Sequence, residues 1–360
     1  MANEEHSTMQ LEMDKAASAP SCDVGAQAIA IIIVNFCTAD LTIACLQSLA
    51  DELRLWPKAR VIVADNASPD GSGRMIAGAI ITNGWADWAE VLACPRNGGF
   101  AYGNNAAIRT CLSAPEPPEY FWLLNSDTIV RPGALAALVA FLNSKPDAGI
   151  AGSCLEDPDG TQQYSSFRFH SIASELEAAA RLGPLSKILR HWAVTRPLSR
   201  ETQKTDWLAG ASLLVRAQVF REAGLMDEDY FLYYEETDFC REANACRWQS
   251  YFVGESRVVH LVGKSSGIAE GARVPRRRPQ YWYQSRRRYF IKNHGWLYAV
   301  GADCALAIGS GIARLREIVE RRPTAIPEAF FYDLACNSAL LNYPGWSRNG
   351  NRQSPAEKRN

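Results

Sequence analysis

The sequence predicts an α/β protein: a mostly parallel central sheet flanked by helices, followed by a helical C-terminal extension. Three observations carry this. From Ala28 to about Leu142, short apolar runs alternate with helix-like segments, the order expected of strands joined by crossover helices. The first run, Ala28-Ile29-Ala30-Ile31-Ile32-Ile33-Val34, is continuously apolar, as in a strand covered on both faces. Several runs end abruptly in Asn, Asp, Ser or Gly, at the carboxyl edge where open α/β sheets bind ligands.

The elements follow in order. After the first strand comes a helix from about Leu41 to Leu53. The strand Arg60–Ala64 ends at the turn signal Asp65-Asn66-Ala67-Ser68-Pro69-Asp70-Gly71. A helix runs from about Ser72 to Ile81. The strand Ala89–Ala93 opens into Arg96-Asn97-Gly98-Gly99-Phe100-Ala101-Tyr102-Gly103-Asn104, which leads into a helix ending near Cys111. The break Pro115–Glu119 precedes the strand Phe121-Trp122-Leu123-Leu124, and Ala134–Leu142 supplies another helix. After about Ser153 the alternation fades, with the turn Asp157-Pro158-Asp159-Gly160 at the transition.

With 360 residues, the chain has room for one large α/β domain and an appended segment, or for two smaller domains. A formal charge of -1 gives no global pull toward nucleic acid or anionic lipid. Ten scattered cysteines without a C-x-x-C pair indicate neither a zinc site nor a disulfide framework, and fit reduced thiols in a cytoplasm. Residues 1–27 are small and polar, lack a signal-peptide core, and read as a disordered leader.

Four places carry candidate chemistry. Asn125-Ser126-Asp127 follows a strand directly; Asp127 there either holds a divalent cation beside a diphosphate or simply forms a turn. Gly98, Gly99 and Gly103 flank a helix start, where backbone amides approach an anion or make a tight connection. They lack both the dinucleotide and the lysine-containing phosphate-loop spacing. Asp65 suits a base N–H or a ribose hydroxyl, with turn formation as the alternative. Glu235, Glu236 and Asp238 lie within one turn of a helix start, behind the aromatics Tyr230, Phe231, Tyr233 and Tyr234. Such residues can stack on a sugar and raise a carboxyl pKa for base work, whereas acidic residues alone are ordinary helix-start chemistry.

Taken in order, Val34-Asn35-Phe36, Val63 through Ser72, Asn97 through Asn105, Leu124-Asn125-Ser126-Asp127, Tyr230 through Phe239, and Val259-His260 through Ser265 resemble family-two glycosyltransferases, most closely their bacterial rhamnosyltransferase branch. The resemblance spans about Ala28 to Gly295. It implies a GT-A fold, Rossmann-like, and inverting transfer from a nucleoside-diphosphate sugar to a hydroxyl acceptor, with Mg2+ or Mn2+ as cofactor. Glu236 takes the place of the catalytic base, where the family often has Asp, and Glu235 and Asp238 remain fallbacks. The implied donor-binding set is Asn35, Asp65, Asn97, Gly98, Gly99, Asn104, Asn125, Ser126 and Lys264. Trp207, Gly210 and Tyr234 fall on the acceptor side, and Asp127 and His260 at the metal. Asn125 replaces the first carboxylate of the family's D-x-D motif, removing one charge. The implied donor is dTDP-rhamnose, with a UDP-sugar as the alternative, and the acceptor a glycan or a polyprenyl-diphosphate-linked glycan. On helix geometry, Glu235 and Asp238 share a face and Glu236 points away from them, neighbours being about 100° apart.

The resulting segmentation is a leader (1–27), a glycosyltransferase domain (28–270) with its nucleotide half at about 28–153 and acceptor half at about 154–270, a basic and aromatic helical extension (271–345), and a disordered tail (346–360). The block Arg273–His294 closes the active site, meets a lipid diphosphate acceptor, or is a solvated helix face. Nothing in it is a recognised nucleic-acid motif. Trp296–Ile312 is apolar but interrupted by Asp303 and glycines, favouring core packing or peripheral contact at the inner face of a membrane over a span. A silent nucleotide-sugar or glycan-binding protein on the same fold is the alternative function. An enzyme that makes nucleotide sugars would need a glycine-rich loop where Asn35-Phe36-Cys37-Thr38 stands.

Overall fold

Runs of β-branched residues leave little choice but strands for the first half of the chain. The computed structural model describes residues 27–261 and 277–343. The leader short of Gln27, the tail and Lys264 lie outside the described residues. The chain forms β1 (Ile29–Asn35), α1 (Ala39–Glu52), β2 (Ala59–Asp65), α2 (Ser72–Thr82), β3 (Ala89–Ala93), α3 (Phe100–Leu112) and β4 (Tyr120–Asn125). Strands β3, β2, β1 and β4 are mutually parallel neighbours. Ile29, Ile31 and Ile33 face one core with Leu46, Leu49 and Ile76, while Ala30 and Ile32 face a second with Ala107 and Ile108. Both faces of β1 are thus covered, which is what its unbroken apolar run anticipates. Parallel register also sets Asn35 opposite Asp65 and Val34 opposite Asn125, so three strand ends reach one edge together.

Beyond β4 come β5 (Thr128–Val130), α4 (Ala134–Ser144), β6 (Ala148–Glu156), β7 (Ser166–Phe167), α5 (Ile172–Ala180) and α6 (Gly183–Leu189). They are followed by β8 (Gln203–Thr205), β9 (Trp207–Leu208), β10 (Ser212–Arg216), α7 (Ala217–Glu222), α8 (Glu235–Ala245) and β11 (Gln249–His260). The sheet order is β3-β2-β1-β4-β10-β6-β11-β5, with β8 on β11. Strand β10 runs antiparallel to both β4 and β6, while β6 and β11 are parallel. Fully buried β6 is the strand that the sequence hides. Its run Ala148-Gly149-Ile150-Ala151-Gly152-Ser153 is poor in strand formers, because large side chains lie over it. A Cβ on Gly152 would sit 2.8 Å from Leu208 Cδ2.

The extension comprises α9 (Gln280–His294), α10 (Trp296–Val319) and α11 (Phe330–Cys336). Its cations are largely engaged within the protein, a different outcome from a solvated or ligand-facing block. Arg286, 2 % exposed, donates from Nε to Glu175 Oε2 (2.7 Å) and from Nη1 to Asp303 Oδ1 (2.5 Å). Arg288 grips both Asp227 oxygens, and Lys292 Nζ donates to Asp238 Oδ2 at 2.5 Å. Charges at a packed interface must find partners, because desolvation otherwise costs several kcal/mol per ion.

Candidate active site

A cleft of about 450 Å³ opens at the carboxyl edge of β1 and β4 and runs to the start of α8. Asn97, Gly99, Asn125, Ser126, Asp127, Gly210, Glu235, Glu236 and His260 line it. These come from five separate sequence blocks. Asp127 and His260 meet because β5 pairs antiparallel with β11, His260 standing opposite Thr128. His260 Nε2 lies 3.5 Å from Asp127 Oδ1 and 3.5 Å from Asn125 Nδ2.

Asp127 is 1 % exposed and His260 stays partly open to the cleft. A carboxylate oxygen and an imidazole nitrogen at this separation fit a shared divalent cation, provided substrate or water oxygens complete its shell. No cluster of three or more His, Cys, Asp or Glu suited to a metal occurs among the described residues.

Other anticipated residues act from behind the cleft. Asn35 donates to Asp65 Oδ1 (2.7 Å) and Ser68 Oγ (3.2 Å), and its own oxygen accepts from Thr38 and Thr42, both at 3.0 Å. Ser68 Oγ donates to Asp65 Oδ1 at 2.6 Å. These contacts fix Asp65 at the end of β2, adjacent to the cleft lining. Asn104 is buried and donates to Phe100 O on its own helix. Trp207 stacks on Phe167 at 4.2 Å and donates to Arg168 O. Tyr234 is buried against His170 and Tyr289. Asn104, Trp207 and Tyr234 thus support the walls from behind, where the sequence reading had them touching substrates.

Gly98 and Gly99 have separate jobs. Gly98 packs on Tyr102, which carries Arg96 over its ring at 4.4 Å. Gly99 has φ +88°, and a Cβ there would overlap the Phe231 carbonyl, whose oxygen accepts from Phe100 N at 3.1 Å. Only glycine fits such a backbone at such an approach. The glycine loop and the aromatic loop before α8 are therefore in direct contact.

That aromatic loop turns sharply, Tyr233 and Tyr234 both having φ near +70°. The turn delivers Glu235 and Glu236 into the cleft together. The helical-wheel expectation that Glu235 and Asp238 share an outlook fails here. Glu235 opens the helix, where side chains lean off the N-terminal end, whereas Asp238 is held by Lys292 and by Asn293 Nδ2 (2.7 Å) of α9. Asp238 thus ties α8 to the extension.

Both cleft glutamates have one buried oxygen without a hydrogen-bond partner, Oε2 in each case. Burial pushes Glu236 up to about 7 against the pull of backbone contacts with itself and Gly210. Burial and the neighbouring Glu236 charge push Glu235 well above the ordinary carboxylate range too. Glu235 is 3 % exposed, whereas Glu236 is only partly covered, which makes Glu236 the carboxyl a substrate can reach. The sequence reading missed Thr38, Asn66 and Tyr233 as lining residues. Thr38 Oγ1 donates to Ser126 Oγ (3.1 Å), and Asn66 Nδ2 donates to Gly99 O (2.9 Å). Asn66 and Tyr233 stand inside the quoted motifs and Thr38 two residues past one, which was the available signal.

Comparison with known proteins agrees with this geometry. Residues 30–202 match the sequence model of Glycosyl transferase family 2. The chain is 29 % identical over 219 residues to the N-acetylglucosaminyl-diphospho-decaprenol L-rhamnosyltransferase of Mycobacterium tuberculosis, covering 58 % of this chain and 68 % of that one. It is 24 % identical over 166 residues to Rhamnosyltransferase WbbL of Escherichia coli K12, covering 45 % and 60 %. In structure it resembles GalNAc-T7 with UDP, GalNAc and Mn2+ (TM-score 0.52, 15 % identity, 88 % of this chain and 58 % of that one). It also resembles the mannosyltransferase PcManGT from Pyrobaculum calidifontis with GDP-Man and Mn2+ (TM-score 0.50, 13 % identity, 90 % and 88 %). At these identities the structural likeness speaks for the fold. The motif order, the mixed sheet and the matched segment lead to one identification: residues 30–202 are a glycosyl transferase family 2 segment, in a chain with a GT-A fold.

Proposed function

We propose that the protein is an inverting rhamnosyltransferase that moves rhamnose from dTDP-rhamnose to a hydroxyl of a polyprenyl-diphosphate-linked glycan, at the cytoplasmic face of a membrane, in bacterial surface polysaccharide synthesis. The observation that carries it is the pairing, in one cleft, of a reachable carboxyl held near neutrality, Glu236, with the Asp127–His260 pair. The names of the bacterial relatives support the sugar and the lipid-linked acceptor.

Glu236 accepts the acceptor hydroxyl proton as that oxygen attacks the anomeric carbon, and the bond to the diphosphate breaks in the same displacement. No covalent sugar–enzyme intermediate forms, and configuration inverts. Asp127 and His260 would hold Mg2+ or Mn2+, which supplies charge neutralisation at the diphosphate. Asp65, fixed by Asn35 and Ser68, would meet the nucleoside, and the Gly99 loop the phosphates.

The test is calorimetry with dTDP-rhamnose and a UDP-sugar panel, followed by transfer to a lipid-diphosphate-linked acceptor with NMR assignment of the new anomeric centre. Binding of UDP-sugars with none of dTDP-rhamnose would overturn the donor. A retained configuration would overturn the mechanism.

A further inference from the structure

Helix α10, Trp296–Val319, is long and apolar enough to cross a membrane, yet one side of it is fixed to protein. Ala299, Ala302, Leu306 and Ala313 are buried, and Asp303 on that side is ion-paired with Arg286. The opposite side carries Leu297, Cys304, Ile308, Leu315, Ile318 and Val319, all exposed. Leu297 is 77 % exposed, Leu315 66 % and Val319 82 %. At about 100° and about 1.5 Å per residue, the six fall within an arc of about 100° and extend roughly 33 Å along the axis. Between Leu297 and Ala313 no exposed position of the helix carries a charge. A core helix would bury this stripe, and a solvated helix face would interrupt it with polar residues.

The surroundings are basic. Arg314 and Arg316 leave the helix on the two flanks of the stripe, and exposed Arg321 and Arg322 follow its end. Of the cations in residues 277–343, Arg277, Arg286, Arg288 and Lys292 are tied to carboxylates of the protein, which leaves Arg314, Arg316, Arg321 and Arg322 beside the stripe, against Glu317 and Glu320. The end of α10 is therefore a positive, apolar-faced segment on a chain that is formally -1 as a whole. This asymmetry matches an anionic lipid surface and disfavours apposition of two like-charged copies.

We propose that α10 is an interfacial anchor that lies flat on an anionic bilayer. Its six apolar side chains enter the boundary between headgroups and acyl chains, and the flanking arginines extend along the helix to the lipid phosphates. Lipid binding is read without donor or acceptor, so its failure and the failure of the rhamnosyltransferase reading are distinguishable.

The experiment is co-sedimentation of the full chain with vesicles of equal parts phosphatidylcholine and phosphatidylglycerol, compared with phosphatidylcholine alone, at low and high salt. Wild type should sediment with the anionic vesicles and lose most of that binding without phosphatidylglycerol or at high salt. The double variant Ile308→Asp/Leu315→Asp should bind about tenfold or more weakly. Arg321→Glu/Arg322→Glu, which leaves the stripe intact, should lose about tenfold or more on anionic vesicles only. Both variants should keep the wild-type Tm and nucleotide-sugar affinity. If the stripe variant misfolds, the arginine variant carries the test. The proposal is overturned if wild type stays in the supernatant, if a folded stripe variant or the arginine variant binds as wild type does, or if light scattering finds a wild-type dimer that the stripe variant splits.

Discussion

Glu236→Gln should make the protein more stable and less active at once, in a pH window that its raised pKa defines. Burial moves this carboxyl from its ordinary 4.5 to about 7. Between those values the folded state holds a proton that the unfolded state has released, so stability falls as pH rises through the window. Above it the full cost applies, about 3 kcal/mol at about 1.4 kcal/mol per tenfold change in proton affinity. Partial exposure of Glu236 and its coupling to Glu235 reduce this to about 1–3 kcal/mol. The glutamine keeps the shape without the charge. Urea denaturation should show it more stable than wild type by that amount at pH 8, and equal to wild type near pH 4. Single-turnover transfer at saturating substrates should fall on the order of 10²-fold or more, and wild-type kcat/KM should climb with pH to a plateau above about 7. A Glu236→Gln protein that transfers sugar at a near-normal rate, or that is less stable than wild type at pH 8, would refute the reasoning.

Four further outcomes follow from the same geometry. Asp127→Ala should fold normally but lose the metal-dependent part of donor binding and turnover on the order of 10²-fold, as calorimetry with and without EDTA would read; full turnover would remove Asp127 from the metal site. Asp238→Asn should leave the single-turnover rate within about threefold while lowering stability by about 1–3 kcal/mol, because Lys292 loses the shortest of its three carboxylate contacts, Asp227 and Glu242 remaining; a collapse in rate would place Asp238 in the chemistry. Arg286→Ala should cost about 3–5 kcal/mol by stranding Glu175 and Asp303; a Tm within a few degrees of wild type would mean that the site admits water. Gly99→Ala should disrupt donor binding and fold together, through the clash with Phe231; a normal Tm would show that the aromatic loop yields.

The parallel half of the sheet was legible because each inner strand is an apolar run ending in a polar turn, β-branched in β1 and β2 and aromatic and leucine-rich in β4, and the boundaries of β3 match the reading residue for residue. Strand β6 was illegible for the opposite reason: its glycines are dictated by side chains distant in sequence, Leu208 over Gly152 and Trp248 and Val219 over Gly149. The cleft residues were visible as motifs, but their grouping was not. Asp127 and His260 stand 133 positions apart in sequence, and only the β5–β11 register brings them together. Sequence spacing assigned Asp238 to the face of Glu235. What decides its role is Lys292, on a helix that begins more than forty residues later. The basic block looked free for ligands because sequence does not display Glu175, Asp227 and Asp303 as its partners.

The contact between Gly99 and the Phe231 carbonyl bears on how such enzymes can be re-engineered. One loop follows β3 and the other leads into the cleft glutamates Glu235 and Glu236, yet they share a hydrogen bond and have no room between them. Grafting the 97–103 loop from a relative with a different donor preference would install a new backbone path against an unchanged 229–236 loop. The two segments form a single inheritance unit: chimeras that exchange both should outperform those that exchange either, and random libraries should recover substitutions in one paired with substitutions in the other.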